Sequence, residues 1–431
     1  MKLIVWNEIG QAERRQVLRR PKTADDANRR ESVVAILRDV KEQGDDAVRS
    51  YSRMFDGFPS DELRVHDSEI ANALEQIEPR LRDAIALAAA NLSAFHRAQV
   101  PQNVRMETMP GVACELHWRP VERVGFYVPG GTAPLFSSVL MQAIPARLAG
   151  CPYRILCTPP QRDGKIHSAI LAAAAQCGIE NVYAVGGAQA IAAMAYGTAS
   201  IPKVDKISGP GNVFVTLAKQ MVAQDPDGAA IDLPAGPSEV MVVADDTARP
   251  NWVAADLLAQ AEHGTDAQVM LVTTNSAIAA SVQRELLVQI ATLPRRGIAE
   301  ASLSGSAVIV VPDMETALDV VNAYAPEHVI LHNKNAEDWL PEIRNAGSVF
   351  VGRYSPETAG DYASGTNHVL PTGGYARSRG GITVFTFLKS MTVQTLNPDG
   401  LRRLGPALIQ MAEAEGLHAH ANAVSIRLGA A

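Results

Sequence analysis

Cysteine is scarce in this chain, with four residues among 431. They are Cys114, Cys151, Cys157 and Cys177. No two of them form a C-x-x-C pair, so neither a disulfide framework nor a cysteine zinc finger is indicated. Three of the four stand in apolar surroundings, where an inert buried thiol is more common than a catalytic one. We therefore expect reduced thiols in a cytoplasmic protein.

Long blocks of one charge are also missing. The chain has 46 acidic and 39 basic residues, which leaves a formal net charge of -7. A segment that binds nucleic acid would show a run of like charges, so nucleic acid is not an expected partner. The opening segment, MKLIVWNEIGQAERRQVLRR, is charged early and lacks the apolar core of a secretory signal. We expect it to form an arm or a helix of the mature protein.

Smooth apolar stretches of membrane-spanning length are absent as well. Two uncharged runs, 124–146 and 181–202, are long enough to raise the question. Each is interrupted by several glycines or prolines, so neither is a smooth apolar helix. Buried segments of an α/β core are the better interpretation, and no membrane contact is expected.

The chain is long and apolar enough for ordinary globular cores, with 47% hydrophobic residues. Its length indicates roughly two to four domains. Residues 1–100 are predicted to be mainly helical. ESVVAILRDVKEQGDDAV and EPRLRDAIALAAANLSAFHRAQV carry apolar residues at three- and four-residue spacing, and Gly44 and Pro101 mark helix ends.

After this helical region the pattern changes to short β-branched runs that alternate with alanine-rich helices. The strand runs of the first block are RILCTPP, NVYAVGG and KISGPGN, and those of the second are VMVVADD, QVMLVTTN, SAVIVVPD, HVILHN and GSVFVG. This alternation is typical of βαβ units around a mostly parallel sheet. The sequence therefore predicts an α/β fold with two such blocks, a boundary near Pro237 and a small appendage over the last fifty residues.

Three glycine-rich turns follow strands of the first block: YVPGGTAP, VGGAQAI and SGPGNVF. Backbone N–H groups at such turns can bind a phosphate. None completes the G-x-G-x-x-G fingerprint, because Phe214 stands where the third glycine should be. A single turn of this kind is explained as an ordinary connection between a strand and a helix. Three at equivalent positions favour a dinucleotide or another anion bound at the carboxyl ends of the strands.

The second block contains a possible metal and acid–base site. Gln260 and His263 are three residues apart in DLLAQAEHG, so they share a face of the predicted helix and could present two ligands to one ion. A helix-terminal His stabilised by the helix dipole is the competing interpretation. Glu327 and His328 follow Pro326 at the mouth of a strand and could supply two general bases of different strength.

Residues 354–374 form a long loop-like stretch, YSPETAGDYASGTNHVLPTGG, that contains Asp361 and His368. Loops of this length are usually functional or disordered, and the Tyr, Val and Leu content argues against disorder. Oxygen ligands from Gln260 and Asp361 with nitrogen from His263 and a second histidine would make a mixed site for zinc, manganese or iron. The segment EAEGLHAHA near residue 420 reads on its own as a solvated chain end.

These motifs together resemble the histidinol dehydrogenase family over essentially the whole chain. The matching stretches, in family order, are GFYVPGGTAPLFSSVLM, YAVGGAQAIAAMAYGT, KISGPGNVFV, DLPAGPSEVMVVAD, DLLAQAEHG, YAPEHV, GDYASGTNHVLPT and EAEGLHAHANAVSIRL. The resemblance implies NAD-dependent oxidation of L-histidinol to L-histidine through bound histidinaldehyde, the last step of histidine biosynthesis. It also implies a zinc ion in each subunit.

The resemblance assigns roles residue by residue. The implied zinc ligands are Gln260, His263, Asp361 and His420, and the implied catalytic pair is Glu327 and His328. The implied substrate contacts are Ser238, Gln260, His263, His328, Asp361, His368, Glu415 and His420, and the implied NAD contacts are Tyr127, Gln189 and Asn212. His418 lies two residues from His420, so the two side chains point different ways and are not expected to share an ion.

The resemblance also implies an architecture. Two incomplete Rossmann-like domains, akin to aldehyde dehydrogenases, carry N- and C-terminal helical arms. The predicted division is an N-terminal arm at 1–25, a metal and catalytic domain at 26–126 plus 238–380, an NAD-binding domain at 127–237, and an appendage at 381–431 that crosses to the partner of a homodimer. Glu415 and His420 would then complete the neighbour's site.

Two rival functions are left open by the residues alone. One is a paralogous dehydrogenase of another small polar alcohol, and the other is a metal-dependent hydrolase in which Glu327 activates water.

In the mechanism that the resemblance implies, His328 is the general base of both oxidation steps. Glu327 activates the water that hydrates the aldehyde between them.

Overall fold

The computed structural model describes residues 1–20, 26–57, 62–130, 133–234 and 236–429. The strands in these ranges are β1 Lys2–Val5, β2 Val104–Met109, β3 Val112–Pro120, β4 Arg123–Tyr127, β5 Tyr153–Thr158, β6 Asn181–Ala184, β7 Lys206–Ser208, β8 Ala230–Ile231, β9 Glu239–Ala244, β10 Gln268–Thr273, β11 Ala307–Val310, β12 His328–His332, β13 Ser348–Val351 and β14 Leu388–Leu396. Most of the strand runs predicted from the alternating pattern lie among them.

The α-helices of the same ranges separate these strands. They are α1 Gln11–Val17, α2 Asp26–Gln43, α3 Asp45–Asp56, α4 Asp67–Gln76, α5 Pro79–Arg97, α6 Ser137–Ala149, α7 Ser168–Cys177, α8 Gly187–Tyr196, α9 Val213–Val222, α10 Pro250–Ala261, α11 Ser276–Ile290, α12 Arg296–Ser304, α13 Met314–Tyr324, α14 Ala336–Trp339, α15 Glu357–Tyr362, α16 Pro398–Ala414 and α17 His418–Arg427. The predicted break at Gly44 is confirmed, since α2 ends just before it and α3 begins just after.

One sheet contains six strands in the order β1-β11-β10-β9-β12-β13, all parallel. Every residue of β9, β10 and β12 is buried, because helices cover both faces of the sheet. Adjacent strands β9 and β12 pair with His328 opposite Val240, so their amino ends lie side by side. The opening segment, expected to be an arm or a helix, supplies the edge strand β1 as well as α1.

The other parallel sheet has five strands in the order β6-β5-β4-β7-β8. Helices from 26–97 cover it: side chains of α2 and α3 share one core with β5 and α8, and side chains of α5 share another with α6 and α7. This packing differs from the predicted grouping of 26–126 with 238–380. Helical periodicity predicted these helices but carries no information about which sheet their apolar faces cover.

Among the described residues, the apolar run 124–146 contributes to β4 and α6, and the run 181–202 contains β6 and α8, all part of this sheet or the helices that cover it. The expected α/β core segments are therefore confirmed. Within the described ranges, no helix combines the length and the apolar character needed to cross a membrane. Both sheets are parallel and covered by helices, which confirms the predicted α/β class.

A third sheet is antiparallel and joins distant parts of the chain, in the order β14-β3-β2. It connects residues 104–120 to the predicted appendage, whose helices α16 and α17 pack against each other. Exposed apolar side chains remain on these two helices at Met411 and Ile426, and at Leu417 between them.

Candidate active site

A cavity of about 120 Å³ brings together side chains from several separate segments of the chain. The predicted site residues that line it are Ser238, Gln260, His263, Glu327, His328, Asp361 and His368. Its volume is below the roughly 300–1,000 Å³ of pockets that hold drug-sized ligands, so it suits a small molecule. Seven residues chosen from sequence motifs therefore lie around one space.

The cavity lies at the amino ends of β9 and β12. Glu327 immediately precedes β12 and His328 begins it, while Gln260 comes from the last turn of α10. The sequence predicted the mouth of a strand for the Glu–His pair, and the structure specifies the amino end. Asp361 reaches the same cavity from α15, whose contacts with α10 bring the 354–374 stretch onto this sheet.

The His328 imidazole is buried, with its two nitrogens in different environments. Nδ1 lies 3.1 Å from the carbonyl oxygen of Glu239, which assigns the proton to Nδ1 because a carbonyl only accepts. Nε2 has no hydrogen-bond partner among the described residues and lies 3.7 Å from Asp361 Oδ1. Burial lowers the pKa of His328 to about 4, so the ring is neutral near pH 7. A neutral ring with an unengaged Nε2 can act as a general base.

The Glu327 carboxylate lies beside this ring. Its Oε2 accepts the Glu239 N–H at 2.9 Å and is 3.6 Å from His328 Nδ1. Burial raises the pKa of Glu327 well above its ordinary value, and the backbone N–H of Glu239 opposes part of that shift. Its ionised carboxylate is thus a stronger base than a surface glutamate.

Sequence reasoning missed Glu357, a buried carboxyl group at the start of α15. The Gln260 amide is satisfied when its Nε2 donates to Glu357 and its Oε1 shares, at 3.0 Å, the Glu239 N–H that also donates to Glu327 Oε2. Burial raises the pKa of Glu357 well above normal, and nearby Asp361 and Glu327 add to the shift. The signal that could have found it is a carboxylate four residues before Asp361, on the same face of a short helix.

The donor set fits a divalent metal. Ligand atoms of His328, Glu357 and Asp361 lie within 4.8 Å of one another, and Gln260 and His263 line the same cavity. The unengaged Nε2 and the crowded carboxylates show that the described side chains leave negative charge and a nitrogen lone pair uncompensated. Mixed nitrogen and oxygen donors suit zinc, manganese or iron.

His420 and Glu415, two further predicted site residues, do not line this cavity. Glu415 follows α16 and His420 lies in α17, and both side chains are exposed. The chain's own cavity therefore holds three of the four predicted ligands, Gln260, His263 and Asp361.

His368 is oriented by two hydrogen-bond contacts. Its Nδ1 lies 2.6 Å from the carbonyl oxygen of Asp361 and its Nε2 lies 3.1 Å from Ser138 Oγ. Burial lowers its pKa, so it is a neutral ring that faces the small cavity without bearing charge.

A second cavity, of about 1010 Å³, lies against the other sheet and contains the three residues predicted near NAD. Tyr127 ends β4, Gln189 lies in the first turn of α8, and Asn212 caps α9 by accepting the N–H groups of Phe214 and Val215. They stand at the carboxyl ends of the strands, as the glycine-rich turns predicted. Neither polar atom of the buried Gln189 amide has a partner among the described residues. The volume and the unpaired amide fit a dinucleotide.

A buried ion pair supports the glycine-rich turn of this cavity. Lys219 and Asp232 lie 2.5 Å apart, with both side chains almost fully buried. Lys219 donates to the Gly209 carbonyl at 2.7 Å, and Asp232 accepts the Gly209 N–H at 2.8 Å. A side chain at position 209 would collide with the Tyr127 carbonyl, which explains the glycine there.

The comparisons with known proteins agree with the motifs. The histidinol dehydrogenase family profile matches residues 18–428. Histidinol dehydrogenase from Xylella fastidiosa is 49% identical over 431 residues and covers 100% of both chains. Histidinol dehydrogenase from Aliivibrio fischeri is 49% identical over 428 residues, covering 99% of this chain and 97% of its own. The crystal structure of histidinol dehydrogenase from Elizabethkingia anophelis has a TM-score of 0.95 and 46% identity, and covers 100% of this chain and 98% of that one. The predicted resemblance is confirmed: the chain belongs to the histidinol dehydrogenase family of oxidoreductases.

Proposed function

We propose that the protein oxidises L-histidinol to L-histidine through bound L-histidinaldehyde, with NAD as oxidant and one zinc ion per subunit, as the last step of histidine biosynthesis. The observation that carries the proposal is the single small cavity that collects Ser238, Gln260, His263, Glu327, His328, Asp361 and His368 in a chain of this family. Names of the relatives specify the alcohol, and the cavity size is consistent with a small substrate.

Residues of this chain hold each partner of the reaction. Gln260, His263 and Asp361 are the zinc ligands, and Glu357 orients the first of them by accepting its amide N–H. Ser238 and His368 contact the substrate. Tyr127, Gln189 and Asn212 contact NAD. When bound, NAD supplies a hydride acceptor and zinc supplies Lewis-acid orientation of the substrate nitrogens.

The first oxidation removes a proton and a hydride from the alcohol. His328 Nε2 takes the hydroxyl proton, because its Nδ1 proton is held by the Glu239 carbonyl and the ring is neutral. The carbon that bore the hydroxyl loses the hydride and becomes the aldehyde. Fixed placement of base and substrate supplies part of the rate, up to about 7–11 kcal/mol in well-aligned cases.

The second oxidation needs water. Glu327 removes a proton from water as the oxygen adds to the aldehyde carbon, and protonated His328 returns the first proton to the aldehyde oxygen, which gives the hydrate. His328, neutral again, then takes a hydroxyl proton from the hydrate as the second hydride departs. This leaves the carboxylic acid, which loses its proton to solvent. Burial changes the basicities of the two groups in opposite directions, since it raises the pKa of the acid and lowers that of the imidazole.

The proposal includes a cytoplasmic homodimer in which the C-terminal appendage of one chain completes the other chain's site. The support is geometric: Glu415 and His420 are exposed and do not line the cavity of their own chain, while three apolar side chains of the same C-terminal segment are exposed. His420 would be the fourth zinc ligand, and Glu415 would contact the substrate.

Purified protein supplied with zinc, NAD and one of several alcohols tests the reaction. We expect NADH absorbance to rise with L-histidinol and to stay flat with sulfonated or uncharged small diols. A rise only with another alcohol would favour the paralogous dehydrogenase. No NADH with any alcohol would refute a dehydrogenase and favour the hydrolase.

A further inference from the structure

An arginine of the N-terminal segment bonds to residues that adjoin the catalytic pair, and it does not itself line the cavity. Arg20 bonds to the Glu239 carboxylate with two nitrogens: Nε contacts Oε1, and Nη2 donates to Oε2 at 2.7 Å. The Glu239 side chain is 3% exposed. Because 219 residues separate the two in sequence, this fork joins distant parts of the chain.

The same guanidinium also bonds to the segment that leads into Glu327. Its Nη2 donates to the carbonyls of Tyr324 at 3.1 Å and Ala325 at 3.2 Å, and its carbon lies 4.0 Å from the centre of the Tyr324 ring. Ala325 has a φ of 55°, a left-handed conformation that is costly for a residue with a side chain. Arg20 therefore helps hold a strained turn two residues before Glu327.

Glu239 in turn contacts both members of the pair through its backbone. Its N–H donates to Glu327 Oε2 at 2.9 Å, and its carbonyl accepts the Nδ1 proton of His328 at 3.1 Å. The carboxylate of Glu239 also accepts the Gly373 N–H at 3.0 Å. One peptide segment thus orients the carboxylate of one catalytic residue and fixes the tautomer of the other.

From these contacts we infer that Arg20 and Glu239 are positioning residues for Glu327 and His328. Arg20 fixes the position of the amino end of β9 relative to the turn before β12. This places the Glu239 N–H against the Glu327 carboxylate and the Glu239 carbonyl against the His328 ring. The inference rests on the proposed roles of Glu327 and His328. It adds a dependence of turnover on the N-terminal segment.

The competing explanation is a buried ion pair that serves stability alone. Removing Arg20 would leave a buried carboxylate unpaired, which destabilises any protein strongly. Arg20→Met combined with Glu239→Gln removes both charges together and retains an acceptor for Gly373. Because a buried pair can be replaced without loss of stability, this double variant separates folding from positioning.

The experiment compares wild-type enzyme, the double variant and Arg20→Lys, all zinc-loaded, with L-histidinol and NAD. We expect a thermal midpoint near wild type for the double variant but a kcat about 10- to 100-fold lower, the loss expected from a misplacement of about 1 Å. KM for NAD should stay unchanged, because NAD occupies the other cavity. Amide hydrogen exchange in the peptide that contains Glu239 should be faster, a readout that does not depend on turnover.

Arg20→Lys keeps the charge but cannot reproduce a planar fork, so kcat should fall to an intermediate value. Arg14→Met is the matched control: Arg14 lies in the same N-terminal segment, donates to the Trp6 carbonyl and stacks on the Trp6 ring. It should retain wild-type kcat. Wild-type kcat and exchange in both Arg20 variants would overturn the inference. A wild-type enzyme that forms no NADH would instead refute the proposed function, and the inference with it.

Discussion

At the residue scale, the chemistry depends on which nitrogen of His328 is free. The Glu239 carbonyl holds the Nδ1 proton, so the lone pair of Nε2 faces the cavity beside Asp361. Glu327 differs from His328 in two ways: its Oε2 accepts the Glu239 N–H, and burial raises its pKa, whereas burial lowers the pKa of His328. The two residues are adjacent in sequence, but their environments suit them to different proton transfers.

Substitutions of the pair should separate the two oxidations. Glu327→Gln removes the base that activates water, so histidinaldehyde oxidation should slow by about 10²- to 10⁴-fold while histidinol oxidation slows much less. His328→Asn removes the base of both steps, so both should slow by a similar factor. Rates measured separately with histidinol and with added histidinaldehyde check this division. Equal losses in both half-reactions for Glu327→Gln would contradict it.

Glu357 should affect metal binding. Glu357→Gln replaces a carboxylate, which only accepts hydrogen bonds, with an amide that can also donate them. The Gln260 amide is then no longer held in one orientation. Zinc affinity should therefore fall about 10- to 100-fold, as with other groups that orient ligands. Titration of metal-free protein with zinc, followed by a competing chelator dye, measures this. Glu300→Gln is the control, because Glu300 is exposed and pairs with Arg296. Equal affinities for Glu357→Gln and wild type would rule out this role.

Sequence reasoning reached the residues that carry chemistry but not those that orient them. The family motifs identified the histidines, the glutamate and the aspartate that line the small cavity: His263, Glu327, His328, Asp361 and His368. Arg20 and Glu239 could not be recognised in this way, because each acts through a contact with a residue far away in the chain, and Glu357 was signalled only by its four-residue spacing from Asp361. A charged residue in a loop or arm reads as solvated until the packing of other elements buries it.

At the element scale, the small cavity results from two neighbouring parallel strands that begin together. Pairing of β9 with β12 fixes the distance between the Glu239 backbone and the Glu327–His328 segment. Gln260, in the last turn of α10, and His263, just beyond the end of that helix, line the same cavity. The small cavity lies at the amino ends of strands in the six-stranded sheet, whereas the larger cavity lies at the carboxyl ends of strands in the five-stranded sheet.

The buried Lys219–Asp232 pair should control the glycine-rich turn of that larger cavity. Lys219→Met leaves Asp232 buried and unpaired, which should lower the free energy of unfolding by about 3–5 kcal/mol. It also releases the Gly209 carbonyl, so NAD affinity should fall by about tenfold or more, equivalent to about 1.4 kcal/mol. Denaturant unfolding and NAD titration by fluorescence measure the two effects.

Lys203→Met is the matched control, since Lys203 lies in the same domain and donates to the Asp227 carbonyl at an exposed position. It should change neither quantity appreciably. Unaltered NAD affinity in Lys219→Met, together with reduced stability, would assign the pair to folding alone.

The fold was predictable where the pattern was local. Alternating strand and helix runs predicted both parallel sheets, and Gly44 predicted the break between α2 and α3. The pairing of β1 with β11 and of β14 with β3 joins segments hundreds of residues apart, so no local periodicity reveals it. The packing of helices from 26–97 on the five-stranded sheet is non-local for the same reason.

At the scale of the whole molecule, one chain offers an incomplete set of predicted zinc ligands. Gln260, His263 and Asp361 line the cavity, while His420 stands exposed on α17. The appendage is tied to the rest of the chain through β14 and β3, and its apolar side chains are exposed. A dimer in which each appendage crosses to its partner accounts for both features.

Mixed dimers test this exchange. A chain with His420→Ala lacks a functional appendage, and a chain with His263→Ala lacks a functional cavity. If the appendage crosses over, each heterodimer has one site with both histidines, and random mixing should restore about a quarter of wild-type activity. Each variant alone should stay inactive. A mixture that is also inactive would show that the appendage serves its own chain.

A four-electron oxidation of one alcohol to one carboxylate fixes the number of NADH molecules formed per histidine. With limiting L-histidinol, excess NAD and zinc-loaded enzyme, NADH is read by absorbance and histidine by amino-acid analysis. We expect about two NADH for each histidine, with no accumulation of free aldehyde, since Glu327 and His328 line one cavity. One NADH for each histidinol consumed, with aldehyde released and no histidine formed, would contradict it.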